Sequence, residues 1–102
     1  MGKPAARKND TANHVPVNGW SVHKINEGSS NVNINGKPAA RSGDKLTDHF
    51  KGDTVHFSGP TTPKISGGSS TVFINGKAAA RKEDSINCSS KINVGSGDVT
   101  IG

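Results

Sequence analysis

Residues 24–41 read KINEGSSNVNINGKPAAR, and residues 64–81 read KISGGSSTVFINGKAAAR. The pattern opens a third time at Lys91, as KINVGSGDVTIG, and stops at Gly102. The half that this copy lacks, GKPAAR, lies at the other end of the chain, from Gly2 to Arg7. Open repeat arrays carry distinct capping units at their ends. A repeat divided between the termini instead predicts a closed ring of three units with adjacent ends, and closure removes free strand edges that invite aggregation. The expected units are 24–41, 64–81, and 91–102 completed by 2–7, in one domain spanning 1–102.

Each unit reads as β structure. Ile25, Ile65 and Ile92 fall at matching positions, as do Val32, Val72 and Val99, and then Ile34, Ile74 and Ile101. Asn33, Phe73 and Thr100 lie between the last two sets, so alternation places the branched aliphatics on one face and the variable residues on the other. Gly28-Ser29-Ser30-Asn31, Gly68-Ser69-Ser70-Thr71 and Gly95-Ser96-Gly97-Asp98 are turn sequences. Asn35-Gly36 and Asn75-Gly76 add a second turn to each full unit. No window has the 3.6-residue period of a long helix; 38–41 and 78–81 are candidates for a single helical turn. The fold class expected is therefore all-β, small and closed, built from three hairpin repeats.

Only 29% of the 102 residues are hydrophobic, with one Trp and no Tyr, so the core is thin. Chains this short sit near the limit of independent stability and need a staple. The single cysteine, Cys88, excludes an internal disulfide, which leaves a metal or a partner subunit. The net charge of +5 is spread through the repeats and the few aromatics do not cluster with it, which argues for a solvated surface and against nucleic-acid binding. No apolar run approaches the ~20 residues of a membrane span, and the start, MGKPAARKND, has no hydrophobic segment for a secretion signal. Any export is expected to use another route.

Arg7, Arg41 and Arg81 are each followed three residues later by Asp10, Asp44 and Asp84. These pairs read as three exposed salt bridges worth up to about 1 kcal/mol each. A ligand-type residue then follows each aspartate: His14, His49 and Cys88, the second at a spacing of five rather than four. Equivalent positions of a three-fold ring converge on its axis, and two imidazoles with a thiolate suit zinc. The fourth ligand is His56 or His23. His56 is favoured because it lies in the long loop of the second unit, while His23 borders a strand.

Pro4-Ala5-Ala6-Arg7 and Pro38-Ala39-Ala40-Arg41, with Ala78-Ala79-Ala80-Arg81 lacking only the proline, resemble the motif of PAAR-repeat proteins, as does TVFINGK at 71–77. The resemblance covers essentially the whole chain. It implies a small cone with a flat base and zinc near its vertex, held by His14, His49, His56 and Cys88. His56 with the following Phe57-Ser58-Gly59-Pro60 is similar to the family's His-x-Gly-Gly-Pro stretch. Many relatives place a cysteine four residues after the second aspartate; that position is Asp48 here, and the histidine follows one later. The resemblance further implies a structural, membrane-piercing tip, not an enzyme, that caps the trimeric β-helical spike of a type VI secretion system or contractile phage tail. The expected location is the bacterial cytoplasm before firing, or the virion tail tip, with any effector cargo bound rather than fused.

Two rival classes are weighed against this reading. A zinc hydrolase needs an open coordination position, which Cys88 closes, and a general base, for which the repeated aspartates are poor candidates. A β-repeat module that binds a ligand through its repeated Thr and Asn residues suits an open stack better than a split repeat.

Overall fold

The computed structural model describes residues 2–14, 23–47, 49–51, 54–56, 63–87 and 90–102, with the backbone alone for 14, 49–51 and 54–56. Eleven short strands follow in order: β1 (Lys3–Pro4), β2 (Thr11–His14), β3 (His23–Lys24), β4 (Asn33–Ile34), β5 (Lys37–Pro38), β6 (His49–Lys51), β7 (Thr54–His56), β8 (Phe73–Ile74), β9 (Lys77–Ala78), β10 (Ser90–Ile92) and β11 (Thr100–Ile101). Every strand pairing is antiparallel, and the described residues contain no helix.

Three hairpins repeat the same register. Ile34 faces Lys37 in β4–β5, Ile74 faces Lys77 in β8–β9, and Ile101 faces Lys3 in β11–β1. The third hairpin thus joins the two ends of the chain, as the split repeat predicts. Asn35 and Gly36 turn the first hairpin with φ of 55° and 77°, and Asn75 and Gly76 turn the second with 54° and 77°. Positive φ at both central residues is the tight turn whose twist matches a hairpin, and Asn and Gly adopt it at least cost.

The PAAR segments lock the three units together. The Ala6 N–H donates to the Ala80 carbonyl, Ala80 to Ala40, and Ala40 back to Ala6, each at 3.0 Å. A second cycle runs from Lys8 to Pro38, Ser42 to Ala78 and Lys82 to Pro4, each at 2.8 Å. Ala5, Ala6, Ala39, Ala40, Ala79 and Ala80 are all fully buried, because backbones this close leave room for a methyl group and little more. Residues 38–41 and 78–81 are therefore extended, not helical. The Ala40 and Ala80 amides bond across units, those of Ala39 and Ala79 donate to Val32 and Val72 of their own hairpins, and those of Arg41 and Arg81 donate to Asp44 and Asp84, so none of these makes an intrasegment turn.

The core lies in two layers. Ala6, Ala40 and Ala80 pack with Ile25, Ile65, Ile92, Ala12, Leu46 and Ile86, again three sets of three. Below them Ala5, Ala39 and Ala79 pack with Ile34, Ile74 and Ile101, and Val99 lies against this cluster. Val32 and Val72, expected to face inward, are more than a third exposed. The strands that follow them are two residues long, so the pleat buries one isoleucine and leaves the valine at the rim. The molecule measures 37 × 25 × 24 Å, with two nearly equal short axes as a three-fold body requires.

Gly28, Gly68 and Gly95 mark where each unit passes its own β5-type strand. A Cβ on them would lie 2.7–2.8 Å from the Cβ of Pro38, Ala78 or Pro4, and within 3.0–3.2 Å of a carbonyl oxygen of Ala39, Ala79 or Ala5. That crossing lets the next amide, of Ser29, Ser69 or Ser96, donate to the same alanine carbonyl at 2.8 Å.

Candidate metal centre

The Arg–Asp pairs are the most buried charges of the described chain. Arg7 donates through Nε to Asp10 Oδ2 and through Nη2 to Asp10 Oδ1, both at 3.0 Å, and its own backbone N–H reaches Oδ2 at 2.8 Å. Arg41 with Asp44 and Arg81 with Asp84 repeat the three contacts. The aspartate side chains are 2%, 2% and 6% exposed and the arginines 11%, 13% and 17%, so the expectation of exposed salt bridges is wrong. The aspartate sits one residue past a left-handed turn at Asn9, Gly43 or Glu83, which swings the carboxylate back under the arginine. These hydrogen bonds hold each guanidinium pKa above its already high ordinary value, against the opposing effect of burial.

A polar belt, unanticipated from the sequence, runs around the hairpin layer. Arg7 Nη1 donates at 3.0 Å to Asn35 Oδ1 of the next unit, and Arg41 Nη1 does the same to Asn75. Those amide oxygens also accept from Ser96 Oγ at 2.6 Å and Ser29 Oγ at 2.7 Å. In the third unit the Gly102 carbonyl takes the place of the asparagine oxygen and accepts from Arg81 and Ser69. Each serine oxygen also caps its own turn, accepting from the amides two and three residues on, such as Asn31 and Val32. The signal was present as a serine second in every Gly-Ser turn and an Asn-Gly in every full hairpin.

The positions expected to bind metal follow three residues of the upper core layer in sequence. Ala12, Leu46 and Ile86 are equivalent, so the positions two residues on are His14, Asp48 and Cys88, and His49 falls one residue later. The loop expected to carry His56 contains the β6–β7 hairpin, whose register sets His49 directly opposite His56. The β2–β10 pairing sets His14 opposite Ser90, two residues beyond Cys88. The side chains of His14, His49 and His56, and Cys88 altogether, lie outside the described residues. Among the described side chains no group of three metal-binding types comes together.

His23, the alternative ligand, is described and is 1% exposed. It occupies the position that Pro63 and Ser90 hold in the other units, each preceding the lysine of an equivalent Lys-Ile pair. Its Nδ1 lies 3.0 Å from the Thr47 carbonyl and its Nε2 3.0 Å from Ser90 Oγ. A carbonyl only accepts, so Nδ1 is the donor to Thr47. This arrangement ties β3 to the segment that precedes β6 and to β10.

One chain that closes three antiparallel β units into a ring, with its termini sharing a hairpin, defines a pseudo-trimeric β body. A family model for the PAAR motif matches residues 1–48 and 50–102, and the chain belongs to that family. Comparison with curated proteins finds no match.

Proposed function

We propose that the protein is the tip of a contractile injection machine, of the type VI secretion or phage-tail kind, seated on a trimeric β-helical spike. The observation that carries this reading is the three-fold repetition of the hairpin layer within one chain, which presents three near-identical edges to a partner with three equivalent subunits. The rim around that layer is apolar in part: Val32 and Val72 are 36% and 37% exposed and Phe73 is 61% exposed. Strand edges with neighbouring apolar side chains are the means by which one β structure extends another. Before firing the protein would reside in the cytoplasm, or at the tail tip of a virion, with any effector bound to it. The role is structural. Both oxygens of Asp10, Asp44 and Asp84 are engaged by arginine, so these carboxylates are not placed to act as general bases. Deleting the gene is expected to stop release of the spike protein into the medium, and the intact chain supplied in trans to restore it. Undiminished release without the chain would refute the reading.

We further propose that one structural zinc is held by His14, His49, His56 and Cys88. Three imidazoles and a thiolate form a closed tetrahedral donor set, which suits a structural and not a catalytic ion. The cross-strand placement of His49 and His56 supports the assignment, since partners across a ladder are near enough to share one ion. His56 is preferred to His23, whose two ring nitrogens are engaged with Thr47 and Ser90. Bound metal would tie β2, the β6–β7 hairpin and the segment before β10 together and couple to folding. Purified protein is expected to contain one zinc per chain, and Cys88→Ser to lose or weaken it. A metal-free protein with an unchanged melting curve in strong chelator would refute the proposal.

A further inference from the structure

Six lysines stand in two rings around the molecule. Lys3, Lys37 and Lys77 occupy the same position in the three hairpins of the lower layer. Lys24, Lys64 and Lys91 each precede the isoleucine of the upper core cluster, at a second level. All six are exposed, and among the described residues the ion pairs are the three Arg–Asp forks, in which no lysine takes part. Because the arginines are neutralised by those aspartates, the chain's net charge of +5 resides on its lysines. The carboxylates outside the forks are partly committed elsewhere: Glu27 accepts from the Lys45 amide, and Asp98 from Asn35 and Ser96. Where the units meet, the rings join. Lys3, Lys82 and Lys91 line one surface depression of about 420 Å³, with Glu83 the single acid among its lining.

We infer that these rings bind the headgroups of an anionic phospholipid bilayer, and the inference rests on the tip reading above. The arrangement selects the partner. A linear polyanion lies along one flank and meets one lysine of each ring. A bilayer that the molecule enters along its 37 Å axis surrounds it, and each ring in turn presents three lysines to phosphate on all sides. Lysines near an anionic membrane surface attract it additively and lose that attraction as salt screens them. The rings thus offset part of the resistance of a charged surface to penetration, and do so at any rotation about the axis.

The test is co-sedimentation of the full chain with vesicles of phosphatidylcholine alone and of phosphatidylcholine with phosphatidylglycerol in equal parts, at low and raised salt. Binding is expected only to the anionic vesicles and is expected to fall as salt rises. Replacing one ring, Lys24→Gln with Lys64→Gln and Lys91→Gln, is expected to weaken binding about a hundredfold, at roughly fivefold per lysine. The corresponding Lys→Arg set retains binding, and melting curves of both sets establish that they are folded. Equal binding to neutral vesicles, no effect of the glutamine set, or tighter binding to duplex DNA at matched phosphate would each overturn the inference. Spike docking measured in parallel separates the two readings: intact docking without vesicle binding discards the lipid surface alone, and vesicle binding without docking discards the tip.

Discussion

Asp44→Ala probes the depth at which the ring's charges are held. Asp44 is 2% exposed and supplies Arg41 with two side-chain hydrogen bonds, at 2.8 and 3.0 Å, while its Oδ2 also accepts from the Arg41 amide at 2.8 Å. The alanine variant strands a guanidinium that is 13% exposed together with a backbone N–H. Removing one partner of a buried pair costs about 3–5 kcal/mol. Arg41 keeps its contact to Asn75, so the lower part of that range, about 3 kcal/mol, is expected. For a domain of this size that lowers Tm by roughly 12–24 °C. Thermal and urea unfolding followed by circular dichroism, with metal saturation held constant, reads the loss. The three-fold repeat supplies internal controls: Asp10→Ala is expected to cost at least as much, and Asp84→Ala least, because Arg81 and Asp84 are the most exposed pair. A loss below about 1 kcal/mol, the range of exposed pairs, would refute the reasoning.

Three further outcomes follow from particular positions. Gly68→Ala places a methyl group 2.8 Å from the Ala78 Cβ and 3.2 Å from the Ala79 carbonyl, and urea unfolding is expected to show a loss of about 1–3 kcal/mol. Glu83 holds a φ of 76° where the other units have Asn9 and Gly43, so Glu83→Asn is expected to raise stability by up to about 1 kcal/mol in the same assay. Hydrogen bonds from Asn35 and Ser96 hold the Asp98 carboxyl below its ordinary pKa. A depressed folded pKa contributes stability that is present above the unfolded value and lost as pH falls through the folded one. Asp98→Asn, which copies Asn31 of unit 24–41, is expected to remove that part of the acid sensitivity in unfolding curves at stepped pH and to change little near neutrality.

The fold was legible because identical residues recur at fixed positions. Ile25, Ile65 and Ile92 are buried where alternation places them, and the divided repeat is completed by β1 and β11. Residues 38–41 are extended although an alanine pair is consistent with a helical turn, because the Ala39 amide bonds to Val32 across its own hairpin and the Ala40 amide to Ala6 of a neighbouring unit. The Arg–Asp spacing revealed the pair but not its burial, which depends on the left-handed turn at Asn9, Gly43 and Glu83. Glutamate gives no hint of that turn in the third unit. The serine belt is not legible in the sequence for a related reason, since Ser29 meets Asn75 across 46 positions. At the candidate metal centre, residue types and spacing suggest the proposed donors, and the backbone adds the β6–β7 hairpin that sets His49 opposite His56.

The most direct test of the tip assignment is native mass spectrometry of the full chain mixed in excess with the trimeric spike protein of its own machine. The account predicts one chain per spike trimer, carrying one zinc, and no higher occupancy. Three chains per trimer, or no complex at all, would contradict it.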